Sequence, residues 1–497
     1  MKDIYLSKTD FMNFLKHPAL LWLSKHDKGS LPPVSESLQA IFDAGNEVDR
    51  VAQKLFPEGV LIQERGEEAE KATRQAIEAG TPTIFQAYFR APDDTLCKVD
   101  VLRRVSDTAF ELHEVKQTGK VKPEHYPDLA FQKHVLEQCG VTVKRCVVTC
   151  LDTTYERDGE IDPGKMFKTE DVTEDVARAG KEVESQIKKA LEVLHLQECP
   201  DQSPRHGSGQ RFDDYMEAYF HLHPDLDAQS IYRMSSLTPE AAALLEDRGY
   251  ETIDQIADLA LAELSASQRK HVESARKPVE VNKPAVKKFL DSLDFPLYFL
   301  DYETVSHAIP VFDGTRPYEP VPFQYSLHRL DEPDGELAHF EFLARDQSLP
   351  INALAEQLQQ DIGPFGSVLV YTGYEMTQNT NMAKALPEHR QFFELLNGRC
   401  IDFSWPFSKG LYTHPGFKGR YSIKAVLPVL TSEVSYDGLA IKEGSVAMTR
   451  WRKTVFGEDS PAAKEKVFED LLAYCKLDTL AMVRIYEHLR KVCHEPE

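Results

Sequence analysis

The stretch Tyr298-Phe-Leu-Asp301-Tyr-Glu303 decides how this chain is read. Its residues alternate, so Phe299, Asp301 and Glu303 fall on one face of a strand and Tyr298, Leu300 and Tyr302 on the other. Aromatic and aliphatic residues suit a central strand, yet two carboxylates stand two residues apart near its C-terminal end. Like charges on one strand face repel, and burying them is costly unless something positive lies between them. A divalent cation is the simplest such partner, and hard oxygen ligands suit Mg²⁺ or Mn²⁺. A solvated strand edge is the plain alternative, and further carboxylates in the right order would displace it.

Those carboxylates follow downstream. Strand-like runs cover 323–329, 338–344 and 367–372, with a helix over 350–361. Val368-Leu-Val-Tyr-Thr-Gly-Tyr-Glu375 leads from a buried-strand signal to another acid. Ser460-Pro461 opens the last long helix as N-cap and first helical residue. On that helix Tyr474 and Asp478 are spaced i and i+4, which places phenol and carboxylate on one face with Leu471, Ala481 and Ile485. Asp402, in a short β-like run, ranks lower as a metal-site candidate.

The N-terminal half carries its own acids. Helices are expected near residues 7–23 and over 36–55, and strands over 83–89, 96–101 and 109–115. A helix over 128–139, a strand over 144–151 and a helix over 170–198 follow. Asp100 ends one strand, and Glu114-Val-Lys116 ends the next, with Glu114 and Lys116 on one face. Two acids and a lysine on adjacent strands can bind a cation and position a water, or can simply form an ion pair. Gln132 shares a helical stripe with Leu129, Leu136 and Cys139, and an inward Gln needs a specific partner. From 212 to about 292 the pattern reads as helical throughout. Within it, residues 244–259 have the helix–Gly turn–helix spacing of a helix-hairpin-helix-like module, serving as a connector or as a DNA-binding element.

Composition narrows the function classes. With 497 residues the chain should form two or three domains, and 42% hydrophobic with 28% charged residues are globular proportions. No apolar run approaches the roughly eighteen residues of a membrane span, and the N-terminus lacks a signal-peptide pattern, so a cytoplasmic protein without membrane contact is expected. The eight cysteines never form a C-x₂-C pair, so no zinc or disulfide framework is expected. A net charge of −22 argues against nucleic-acid binding over the whole surface but leaves room for a local basic channel. Lys409, Lys418, Arg420 and Lys424, interleaved with Tyr412, His414, Phe417 and Tyr421, would suit a single strand by phosphate contact and base stacking. A mixed solvated loop is the alternative there.

In order, Asp301/Glu303, Glu375 and Tyr474/Asp478 resemble the DEDD exonuclease pattern of the DnaQ-like, RNase H-like fold, and the spacing of Tyr474 and Asp478 resembles its DEDDy subclass. With Phe312–Tyr318, Pro322–His328 and Tyr421–Pro428, the chain resembles an uncharacterised bacterial family that joins a RecB-like nuclease domain to such an exonuclease. Two departures are visible: Glu375 stands where the motif usually has Asp, and Thr372 where it usually has Asn. The resemblance implies two-metal hydrolysis, with Asp301, Glu303 and Asp478 holding Mg²⁺ or Mn²⁺. It further implies that Tyr474 orients the attacking water and that Glu375 reaches the second ion directly or through solvent. Arg316 and His307, Lys418, Arg420, Tyr421 and Lys424 would then touch substrate.

Asp100, Glu114-x-Lys116 and Gln132 resemble the PD-(D/E)XK superfamily, RecB-like nucleases above all. There Asp100 and Glu114 would bind metal, Lys116 would assist the water, and Gln132 would support the site. Leu136 stands where the family has Tyr, and Gly45-Asn-Glu-Val-Asp49 offers Asp49, or Glu47, where the family has a metal-binding His. Relatives often hold an iron–sulfur cluster; His17 and the single late Cys199 imply none here.

The expected architecture is α/β: a RecB-like PD-(D/E)XK domain (1–204), a helical connector (205–290) and a DEDDy-type RNase H-like domain (291–497). The expected function is a metal-dependent 3′→5′ exonuclease acting on DNA, single-stranded or with a free 3′ end, with a second nuclease site in the N-terminal domain. It would serve repair or defence against foreign DNA, alongside other proteins of those systems. RNA processing, or a nucleic-acid-binding scaffold with decayed sites, are the alternatives; Thr372, Glu375 and Leu136 favour the latter.

Overall fold

The computed structural model describes residues 4–207, 213–226, 229–234, 236–276 and 278–494. It is a mixed α/β protein with several sheets and two compact units. The first unit comprises 1–233, 237–248 and 307–318; the second comprises 234–236, 249–306 and 319–497.

The first unit is built on a seven-stranded sheet. Thr83–Arg90, Thr95–Arg104 and Ala109–Lys116 form a meander in which each strand runs antiparallel to the next, as their short connections require. Ala109–Lys116 then pairs in parallel with Thr142–Leu151, and the crossover is the helix His125–Gln138. That helix packs Leu129, Phe131, Val135 and Leu136 into one core with Leu112, Cys146 and Val148 from the sheet. Leu136 is therefore a core residue with no exposed surface. The helix expected from residue 170 begins at Thr173, because 167–171 form a fifth main strand against Thr142–Leu151. Asp171 ends that strand by accepting the N–H of Thr173 at 3.0 Å.

Residues 205–290, read as one connector, are divided between the units. Glu246 shows why its first part belongs to the first unit. Its carboxylate accepts hydrogen bonds from Ser203 Oγ (2.7 and 2.6 Å) and Tyr232 OH (2.8 Å). The segment is also not helical throughout. After Gly249, at φ +78°, the chain forms only the 3-10 turn Ile253–Gln255 and the short helix Asp258–Leu261 before Ala266–Arg276. The loop His307–Tyr318 likewise counts with the first unit: Ala308 and Ile309 join Val48, Phe85, Val115 and Leu151 in a hydrophobic cluster.

In the second unit Leu297–Val305 is the middle strand of five. Val321–Leu330 and Leu337–Leu343 extend the sheet antiparallel on one side, Val368–Val370 and Cys400–Asp402 in parallel on the other. The last helix, Pro461–His494, lays Ala481, Met482, Ile485 and Leu489 on a core shared with Phe299 and Leu369. Polar bonds set its register: Gln324 donates to Leu471 O (2.9 Å), and Thr479 Oγ1 lies 2.7 Å from Ser326 Oγ and 2.8 Å from His328 Nδ1. The alternating face of the middle strand is thus turned toward this helix, which brings its two acids to Asp478.

Candidate metal centre

Asp301 and Glu303 stand opposite Ser326 and Gln324 on the neighbouring strand. Asp301, Glu303 and Asp478 each offer a carboxylate oxygen, all within 4.8 Å of one another. Glu375 arrives on the first turn of the helix Tyr374–Ala385, just beyond the parallel strand Val368–Val370. It is buried, and its Oε2 has no hydrogen-bond partner. Asp301, Glu303 and Asp478 are therefore gathered in one place, with Glu375 near enough to act on Asp301 electrostatically.

Their electrostatics follow from burial without enough positive charge. Burial, then Asp478, Glu375 and Glu303, raises the Asp301 carboxyl well above the usual range. Burial and Asp478 push Glu303 up to about 8, with Lys424 opposing. Burial raises Glu375 to about 7 and Asp478 to about 6, the latter held back by hydrogen bonds from Tyr436 and Tyr474. Four acids that resist ionisation together, with one buried oxygen unpartnered, form a donor set that fits a divalent cation. Gly444, first residue of the helix Gly444–Phe456, approaches so closely that a Cβ there would lie 3.3 Å from Glu303 Oε2. That helix N-terminus adds partial positive charge beside the acid.

Tyr474 OH accepts from Lys424 Nζ at 3.3 Å, and the ammonium also donates to Lys442 O at 2.5 Å. It stands 5.3 and 5.4 Å from the ring centres of Tyr474 and Tyr436. Tyr436 OH donates to Asp478 Oδ1 at 2.5 Å. Cys475 Sγ lies 3.5 Å from Asp301 Oδ2. Sequence reasoning missed Tyr436, which sits in an irregular segment with no spacing signal; Cys475 was masked by the stronger motif around it. Asp402 Oδ1 accepts the N–H groups of Ser404 (2.8 Å) and Thr372 (3.2 Å), and its charge helps to raise Glu375. Thr372 stands at φ +78°, where a β-branched residue is strained and Asn is better tolerated.

The aromatic part of the expected substrate surface needs correcting. Tyr412 and Phe417 are buried in the second unit's core, their rings packed against Phe407, so they cannot stack on bases. Tyr421, Arg420 and Lys424 are exposed and Lys418 half-buried. Tyr374, beside Glu375, is a further exposed ring, its OH 2.6 Å from Thr304 Oγ1. Arg316 belongs to the first unit, paired with Glu156 at 3.0 Å, and His307 is buried in that unit with its ring edge toward Phe312.

The first unit also gathers its predicted residues, but differently. Gln132 Nε2 donates to Glu114 Oε2 (2.6 Å) and Asp128 Oδ1 (2.8 Å). Lys116 Nζ bonds Glu114 Oε1 (2.7 Å) and Asp128 Oδ2 (2.6 Å). Lys8, from the first helix, reaches the same Glu114 Oε1 at 2.7 Å and Asp128 Oδ1 at 3.5 Å. Asp100 accepts from Val115 N (3.0 Å) and Gln86 Nε2 (3.4 Å). Burial and Glu114 raise Asp100 to about 8 and Asp49 to about 6. Burial opposes the charge of Glu114 itself, but Lys8 and Lys116 hold it below the usual range. Asp128 lies four residues before Gln132, a helical spacing that could have revealed it; Lys8 left no such signal. His17 serves structure: its Nε2 lies 2.9 Å from Ser203 O, its Nδ1 caps Ala19, and its ring stacks on Tyr215.

A family model described as "Domain of unknown function (DUF2779)" matches residues 298–422. The match takes in Asp301, Glu303 and Glu375 and stops before Tyr474 and Asp478. The chain is similar to "Uncharacterized protein UU173" of Ureaplasma parvum serovar 3, 22% identical over 241 residues. That alignment covers 44% of this chain and 34% of the relative, so the chain spans about a third of the length of the protein it matches. No solved structure matches the chain. No helix among the described residues is long and apolar enough to cross a membrane.

Proposed function

We propose that the second unit is a metal-dependent nuclease that trims nucleic acid from a 3′ end. The observation that carries this reading is the close group of Asp301, Glu303 and Asp478, largely buried and short of positive charge, with Glu375 acting on it electrostatically. Asp301, Glu303 and Asp478 would hold Mg²⁺ or Mn²⁺, which supplies Lewis-acid catalysis and lowers the pKa of a bound water. The chain's own groups do the rest. Tyr474, fixed by Lys424 and by Asp478 one helical turn later, would orient the attacking water with its hydroxyl. Lys418, Arg420 and Lys424 supply phosphate contacts, and the exposed rings of Tyr374 and Tyr421 supply surfaces on which unpaired bases stack. Such a surface suits a single strand of DNA or RNA, in repair, defence or RNA processing.

The test is degradation of end-labelled single-stranded DNA, duplex DNA and RNA with Mg²⁺ or Mn²⁺. Asp301→Ala and Asp478→Ala should each abolish end-dependent trimming while the circular-dichroism spectrum is unchanged. Full trimming by both folded variants would refute the proposal, and the substrate arms decide between the two polymers.

A further inference from the structure

The acids of the first unit differ from those of the second in having ammonium groups in direct contact with two of them. In Asp100, Glu114 and Asp128 all six carboxylate oxygens already accept a hydrogen bond or ion pair. Two ammonium groups, Lys8 and Lys116, balance the two carboxylates they touch, Glu114 and Asp128. Both acids are buried, with 2% and 4% of their surface exposed, so each charge depends on its partner: removing one member of such a network leaves an uncompensated buried ion. A divalent cation needs several oxygen lone pairs directed at one point. Here that point, between Glu114 Oε1 and Asp128 Oδ1, is spanned by the Lys8 ammonium. Lys116 alone would leave one positive charge against two carboxylates, with Asp100 and Asp49 close by, a balance much nearer to that of the second unit's centre.

We propose that Lys8 is the resident cation of the first unit's acid cluster, and that this cluster takes up no Mg²⁺ or Mn²⁺ while Lys8 is in place. The first unit is then a charge-locked domain without metal-dependent cleavage. Lys8 acts as a positioning residue: it holds Glu114 and Asp128 through their oxygens, in the role an ion would otherwise fill. The inference is independent of the reading given for the second unit.

The experiment uses the full chain with the second centre silenced by Asp301→Asn and Asp478→Asn, titrated with Mn²⁺ at pH 7 by calorimetry and by the electron-paramagnetic signal of free Mn²⁺. The silenced chain should bind no Mn²⁺. Adding Lys8→Met should create one bound Mn²⁺ per chain, and adding Glu114→Gln to that variant should remove it again. Lys8→Gln, neutral but still able to hydrogen-bond Glu114, is the second variant should Lys8→Met fail to fold, and it should gain the same site. Three results would each overturn the proposal. One is stoichiometric Mn²⁺ in the silenced chain that Glu114→Gln abolishes, since the ion would then displace Lys8 unaided. The second is no gain in a folded Lys8 variant. The third is a gained site that survives Glu114→Gln.

Discussion

Replacing Glu303 by Gln should stabilise the protein in the absence of divalent cations, and increasingly so as pH rises. The carboxyl of Glu303 is pushed from 4.5 to about 8, first by burial and then by Asp478. A folded-state pKa above the unfolded one means that the folded protein keeps a proton the unfolded chain has released. The contribution of that proton is complete below pH 4.5 and is lost as pH rises through 8. At about 1.4 kcal/mol per pH unit the loss has a ceiling of roughly 5 kcal/mol. For a unit of this size, 1 kcal/mol moves the melting temperature by about 2–4 °C, so the ceiling is roughly 10–20 °C. Glutamine keeps the shape and cannot ionise. Melting of wild type and Glu303→Gln in chelator should therefore nearly coincide at pH 4.5 and diverge steadily toward pH 8, with the variant higher. Added Mn²⁺ should close the gap by stabilising the wild type, more at pH 8 than at pH 5, because fewer protons must leave. Parallel melting curves at all pH values, or a variant less stable at pH 8, would show that Glu303 is not a buried charge in want of a counter-ion.

Tyr474→Phe keeps the ring packed and deletes the hydroxyl bonded by Lys424; single-turnover kinetics should show a roughly 10–10³-fold lower kcat with KM little changed. An unchanged chemical step would make the phenol structural. Phe299→Ala removes a fully buried ring from the middle strand where it meets the last helix; urea unfolding should show a loss of about 3–5 kcal/mol.

Local periodicity made much of this protein legible. The alternation of Tyr298–Glu303 predicted a central strand with Asp301 and Glu303 on one face, and the strand is the middle one of its sheet. Ser460-Pro461 marked the start of the last helix, and the four-residue spacing of Tyr474 and Asp478 placed both on its buried side. Such readings succeed because strand and helix periods are short-range properties of the backbone.

What tertiary structure alone decided is which charges meet. Lys8 reaches Glu114 across 106 residues, and Tyr436 reaches Asp478 across 42, with no spacing to announce either contact. The same holds for Tyr412 and Phe417, whose basic neighbours suggested an open binding surface although both rings complete a core. The two acid clusters look alike as strings of Asp, Glu and Lys. They differ because the first brings a second ammonium into contact with its buried carboxylates, whereas the second leaves Glu375 Oε2 without a partner. Whether a buried acid is neutralised by a lysine, a proton or a metal depends on what lies within a few ångströms of it, and only the folded chain determines that.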